Sequence, residues 1–338
     1  MLASLIVIAM VQFLNVEKDI SDIVRNLECV LGFSLVILRM VTVTYHTKDF
    51  TRLIQTIKLF WDPSICDQQT KVKLISIRRF TYQLQRLLLL AMSVLVSLAA
   101  VVSVLHNTTL TGMWTMKGHE KLYRFVMISQ IIVAPFSAFF LCSLDCLYLG
   151  LCAEIVIQFR ILSQCLRNLT ADGKGEIKAY VTHHRLILRC VKEFLQAFSL
   201  VLLIEVVIDG PFICAELLAA FESSLGFTGP HQYERVKIKC EQIVNCKFIC
   251  FSRYYQAQAR HAISFAFLTL QLAFFCIPAN YITNEAMAVS DAVYFSNWYS
   301  QHNPSLKVPL LLIIQNSQNE ITIKAGDLVT INAGTIVT

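Results

Sequence analysis

Between Arg86 and His106 the chain carries nineteen consecutive residues, Leu87 to Leu105, that are all apolar or serine. At ~1.5 Å rise per residue, a helix of that length covers roughly 28 Å, close to the hydrocarbon thickness of a bilayer. A run this long needs an apolar solvent around it. The whole chain agrees: 56% of its 338 residues are hydrophobic, 15% are charged, and mean hydropathy is +0.58. Soluble domains run nearer a quarter charged, at about 25%. The implied fold class is all-α, a multi-span transmembrane helical bundle.

Further apolar stretches place spans near 2–16, 30–44, 125–157, 194–218 and 263–287 beside the one at 87–105. The 125–157 stretch exceeds what a bilayer needs, so its helix is expected to protrude into water at the Arg160 end. A seventh span should follow Ala325, and only an incomplete one, from about 325, fits before Thr338. Met1 leads into apolar residues with no basic n-region, which argues against a secretory signal peptide and for a first membrane helix. One unit, 1–338, accounts for the pattern.

Basic residues orient the bundle. Connection 46–86 holds Lys48, Arg52, Lys58, Lys71, Lys73, Arg78, Arg79 and Arg86, and connection 158–192 holds Arg160, Arg167, Lys174, Lys178, Arg185, Arg189 and Lys192. The connections 17–28 and 106–124 are poorer in Lys and Arg. Positive loops stay in the cytosol, so the amino terminus is expected inside, opposite to a G-protein-coupled receptor. Asn107-Thr108-Thr109 is then a glycosylation sequon on the outer side, with Asn107 the acceptor, whereas Asn168 falls inside. Stretch 223–260 breaks the rule: it should lie outside, yet it carries six Lys or Arg between Arg235 and Arg260. It reads either as an inserted piece or as a basic extracellular loop.

The net charge of +6 does not point to nucleic acid, because the basic residues sit between apolar segments and form no stripe with interleaved aromatics. Of the twelve cysteines, Cys142, Cys146, Cys152, Cys190 and Cys276 lie in or beside apolar stretches, where a thiol behaves as a small hydrophobe. Cys214, Cys240, Cys246 and Cys250 surround one loop and can bridge if it faces an oxidising space. Their spacing matches no zinc signature, and His183 with His184 point about 100° apart on a helix, so no metal site and no cofactor are expected. The pair reads as partly solvated polar residues at a helix start. No phosphate loop, nucleophile elbow or zinc-binding helix motif is present, which argues against an enzyme.

Asp145, Glu154, Glu205 and Asp209 are ionisable residues in or near spans, positions that mark function or buried pairing. Asp145 and Glu154 are expected near the cytoplasmic interface, in a solvated role. Glu205 and Asp209 are expected near the outer end of their span, facing either an aqueous cavity or the interface. Tyr294, Trp298 and Tyr299 follow a span, and on their own they read as an interfacial aromatic belt.

The carboxyl-terminal order resembles a known family. An apolar segment, 262–287, runs into Asp291-Ala-Val-Tyr-Phe-Ser-Asn-Trp-Tyr299, then Pro309–Ile314, Gln315-Asn-Ser-Gln318 and Ile323-Lys-Ala-Gly326. This resembles the signature of the insect odorant receptors. Looser echoes are Asp145–Cys152 with Gln158–Leu162, like the end of the family's fourth helix, and His183–Ile187, like the start of its fifth. Asn319-Glu320 departs from the Lys-Pro the family often carries after Ser-Gln.

The resemblance implies seven helices in the intact family with the amino terminus cytoplasmic, the last helix truncated in this sequence. It also implies a ligand-gated cation channel in the plasma membrane of olfactory neuron dendrites. The implied partners are a small hydrophobic odorant, the odorant co-receptor in a tetrameric hetero-oligomer, and the lipid bilayer, with no nucleic acid. Tyr294, Trp298, Tyr299 and Gln318 would form a cytoplasmic anchor where subunits meet. The odorant cavity would lie in the outer half of the bundle, where Phe33, Val101, Phe125, Met127, Gln130, Phe136 and Phe267 offer aromatic, polarizable and single polar contacts. Each of these, taken singly, also suits lipid contact or helix packing. Pro135 and Pro278 either shape such a cavity or bend their helices. A gustatory receptor shares the architecture but differs in the carboxyl-terminal strings, and a transporter should show repeated halves, which the chain lacks.

Overall fold

The computed structural model describes residues 20–106, 120–169, 174–225, 244–296, 298, 304–318, 321–331 and 334. Among these are seven α-helices: α1 (Ile20–Tyr45), α2 (Thr47–Ile57), α3 (Gln68–His106), α4 (Glu120–Arg167), α5 (Lys174–Leu225), α6 (Val244–Tyr294) and α7 (Pro304–Gln318). A single 3-10 turn, Pro63–Ile65, and two short antiparallel strands, β1 (Lys324–Ala325) and β2 (Val329–Thr330), complete the described elements. The all-α, multi-span expectation holds.

Four helices, α3 to α6, are long and apolar enough to cross a membrane, and the α1–α2 pair, bent by 67° at its break, makes a fifth if counted as one span. They are longer than the apolar runs alone indicate. At ~1.5 Å per residue, the 48 residues of α4 reach roughly 72 Å, more than twice the hydrocarbon thickness. Polar connections 46–86 and 158–192 are therefore mostly helix, not loop: α2 and the first turns of α3 fill one, and the ends of α4 and α5 fill the other. Both connections are rich in Lys and Arg and hold no apolar run of bilayer length, which is why the sequence leaves these parts as connections. Likewise α6 begins at Val244, inside the stretch 223–260. The expected span 2–16 and the sequon at Asn107 lie outside the described residues.

Local signals explain the boundaries around α2 and α3. His46 leaves the helical region, and its Nδ1 pairs with Asp49 Oδ2 at 2.9 Å where the chain turns into α2. The α2 residues Phe50, Leu53 and Thr56, spaced three apart, are buried on one face. Asp62 accepts the Ser64 amide at 2.8 Å with Pro63 at the first position of the 3-10 turn. Asp67 then accepts the amides of Gln69 and Thr70, capping α3.

Packing is uneven along the long helices. One large cluster gathers Tyr148, Ile155, Phe159 and Leu162 of α4, Phe194 and Phe198 of α5, Ile282 and Val289 of α6, Leu306 and Leu310 of α7, and Ile323 and Ile331 flanking the strands. At the opposite ends the apolar side chains point outward: Leu98 and Leu105 on α3, Phe125 and Phe139 on α4, Ile263 and Leu270 on α6 are all exposed. In lipid an outward leucine costs nothing, so helices there need no oily core. Toward the Arg160 end of α4, burial of apolar surface drives the tight packing.

The start of the last helix differs from expectation. Where a seventh span was expected from about 325, the chain makes a tight hairpin. Gly326 (φ 57) and Asp327 (φ 58) both sit in the left-handed region, and the Leu328 amide closes the turn on the Ala325 carbonyl at 3.0 Å. Two such residues in succession set the turn of a three-residue hairpin loop, 326–328, which a helix cannot absorb.

Candidate functional site

The deepest polar constellation is centred on Arg39 of α1, a residue the sequence reading passed over. Its guanidinium is fully buried, donates to Asp145 Oδ1 of α4 at 2.8 Å, and pairs with Glu205 of α5. Gln271 of α6 donates to the other Glu205 oxygen at 3.0 Å, and the Arg39 guanidinium carbon lies 5.6 Å from the centre of the Phe275 ring. Asp209, one turn beyond Glu205, is buried beside the group. Four helices thus share one cation. This corrects two expectations: Asp145 is not simply solvated, and Glu205 faces neither open cavity nor interface but an ion pair.

A second buried pair lies further along the bundle. His261 Nδ1 of α6 is 2.7 Å from Glu216 Oε2 of α5, with neither side chain exposed to solvent. The sequence reading missed this pair too. The signal was present: Arg39 and Glu216 interrupt otherwise apolar runs, and such residues seek partners in neighbouring helices. Which partners they find depends on the folded bundle.

The protruding ends of α4 to α7 carry a separate polar network. Arg160 Nε and Nη2 both donate to Glu285 Oε1, at 2.8 and 2.6 Å, joining α4 to α6. Arg78 grips both oxygens of Glu154, at 2.7 and 2.8 Å, joining α3 to α4. Thr56 and Arg189 both donate to Glu193, and Tyr148 donates to the Phe275 carbonyl at 2.8 Å.

His183 and His184 are corrected here. They sit within α5, past its first turns, each 2% exposed. The His183 ring stacks on Trp61, centroids 3.7 Å apart and planes 4° apart, and its Nε2 lies 3.0 Å from Gln158 Oε1. Gln158 in turn bonds both the amide and the carbonyl of Trp61. His184 Nε2 lies 3.3 Å from Ser317 Oγ of α7. Burial holds both imidazoles well below their ordinary range, each at about 4. His183 Nδ1 has no hydrogen-bond partner, so a second ring proton would have nothing to donate to.

The residues singled out for an odorant cavity are spread over α1, α3, α4 and α6. Gln130 is buried, Phe33 and Met127 are half-buried, and Val101, Phe125, Phe136 and Phe267 are exposed on the outer faces of their helices. Pro135, Pro211 and Pro278 lie inside continuous helices. Among the described residues no group of His, Cys, Asp and Glu is arranged to hold a metal ion, and Cys66, Cys142, Cys146, Cys152, Cys165, Cys190, Cys214 and Cys276 are free thiols.

The sequence profile described as 7tm Odorant receptor matches residues 19–228 and 249–337. The chain belongs to the insect odorant receptor family. No individually curated protein matches it. Among solved structures, the insect olfactory receptor OR5 from Machilis hrabei superposes with a TM-score of 0.71 at 12% identity, over 99% of this chain and 84% of that one. The same receptor in complex with eugenol gives a TM-score of 0.69 at 13% identity, with the same coverage. This odorant receptor is thus a multi-pass membrane protein of a receptor family, not of an enzyme family.

Within the odorant receptor fold, the signature strings fall on the packed ends. Trp298 packs against the main core, Tyr294 and Gln318 are exposed, and Tyr299 lies outside the described residues. Ser317 meets His184, and the Ala-Gly pair forms the hairpin turn.

Proposed function

We propose that this receptor binds a small hydrophobic odorant in the outer half of its bundle and gates a cation channel together with the odorant co-receptor. The observation that carries the reading is the family profile, matched along almost the whole chain on a helical fold shared with an olfactory receptor. A receptor of that fold takes eugenol, which supports a small, mainly apolar ligand class. The ligand would lie among the outer halves of α1, α3, α4 and α6, with Phe33, Met127 and Gln130 the more enclosed of the candidate contacts.

The amino terminus lies inside, Asn107 is glycosylated on the outer side, and the packed ends of α4 to α7 form a cytoplasmic anchor. There Tyr294, Tyr299 and Gln318 face neighbouring subunits, while Trp298 holds its own. Residues 229–248 fall between the two ranges that match the family, which supports reading part of 223–260 as an insertion. Gating is a population shift: an odorant that binds better to the open arrangement biases the channel by its differential affinity. Co-expression with the co-receptor in oocytes tests this. An odour-evoked cation current that needs both chains is expected; surface-expressed complexes silent to a broad panel of volatiles would overturn it.

A further inference from the structure

Arg86 is the last charged residue before the Leu87–Leu105 run, so it marks one edge of the hydrocarbon layer. At that level α3 and α4 part to leave an open groove of about 470 Å³. On α3, Tyr82, Gln85 and Arg86 line its polar end and Leu89 with Leu90, about one turn deeper, line its apolar end, and Ser143 faces that deeper end from α4. The Gln85 side chain donates to the Cys146 carbonyl at 2.7 Å and fixes the floor, and a Cβ on Gly150 would come within 2.8 Å of Gln85 Nε2.

The groove is electrostatically one-sided. None of its lining residues is acidic, and Arg86 is exposed with no ion pair to a described residue. Arg78, the neighbouring arginine, is already held by Glu154, whereas Arg79 repeats the exposed cation two turns earlier on the face of Tyr82 and Arg86. α3 is also the span least covered by the rest of the chain, 6% buried in its most apolar window, so its surroundings are lipid.

We propose that this groove seats one anionic glycerophospholipid of the cytoplasmic leaflet, phosphatidylserine in kind. Its phosphate lies against the Arg86 guanidinium, which presents a planar fork suited to phosphate oxygens. The Tyr82 ring sits at headgroup depth, and one acyl chain follows Leu89 and Leu90. The cytoplasmic leaflet carries the anionic lipid, and the basic residues of 46–86 place this end of α3 there. The inference rests on that inward orientation and is independent of odorant binding.

Native mass spectrometry of the full chain released from nanodiscs tests it, with phosphatidylserine, phosphatidylcholine and inorganic phosphate as separate probes. One tightly retained phosphatidylserine is expected, held about fivefold better than phosphatidylcholine, the share of one basic residue at a charged surface. Arg86→Gln should abolish that preference, Arg86→Lys should keep part of it, and Leu90→Trp, which fills the apolar end, should expel the lipid with Arg86 intact. Arg124→Gln, an exposed cation at the far end of α4, should change nothing. Equal retention of the two lipids, an unchanged preference in a normally melting Arg86→Gln protein, or equal competition by inorganic phosphate would overturn the proposal. None of these readouts involves an odour response, so their failure leaves the receptor reading untouched.

Discussion

The Gly326 amide donates to Ser199 at both its hydroxyl, 2.9 Å, and its carbonyl, 3.0 Å, clamping the hairpin turn against the middle of α5. The Ser199 hydroxyl is 3.1 Å from the Lys324 carbonyl, so one α5 residue holds both the first strand and the turn that follows it. The approach is possible because residue 326 has no side chain.

Gly326→Ala should therefore be costly. A Cβ there would collide with the Leu203 side chain, and the backbone stands at φ +57. Left-handed strain and overpacking together predict a loss of about 2–4 kcal/mol. A lower thermal midpoint and reduced surface expression, with Asp327→Gly near neutral, are the readouts.

Arg39→Leu should be more damaging than removal of the whole ion pair. It leaves Glu205 and Asp145 in a buried site without their cation, a loss of about 3–5 kcal/mol for a broken buried pair. The double variant Arg39→Leu, Glu205→Leu should recover part of that loss. Thermal unfolding in detergent gives the coupling between the two substitutions.

Acid should loosen the packed ends through His183 and His184. Each has a folded value of about 4 against an ordinary 6.5, because burial disfavours the charged ring. The unfolded chain then takes up protons first, so stability is complete above about pH 6.5 and falls as the pH drops toward 4. His183→Gln with His184→Asn should flatten the dependence of the thermal midpoint across that window.

Tyr294 and Trp298 should separate in their effects, although they share one motif. Tyr294 is exposed on the isolated chain, and Trp298 packs against the core. Tyr294→Ala should lower the oligomeric mass seen by native mass spectrometry while leaving the monomer's melting unchanged. Trp298→Ala should lower stability, by less than the ~3–5 kcal/mol of a fully buried aromatic because Trp298 is half-buried.

The carboxyl-terminal strings show how far sequence reading reaches. Gly326 was visible as part of an Ala-Gly motif, but its reason, the side chain of Leu203 across the turn, belongs to α5. His183 was visible as a histidine pair and read as solvated. Its stacking partner Trp61 lies more than a hundred residues upstream, and no local pattern announces it. Glu205 stands out as an ionisable residue in a span, and Arg39 interrupts the apolar run of α1 in the same way, but only the folded bundle pairs the two.

Chain composition and apolar run length were enough to set the class of solvent and the helical character, since both follow from local chemistry: uncharged stretches of bilayer length, and backbone groups that only a helix satisfies within lipid. Only the folded bundle decided where helices continue past the membrane, which buried charges neutralise one another, and that 324–330 turns back instead of crossing. Those outcomes depend on contacts between residues far apart in the chain, whose energies no single segment contains.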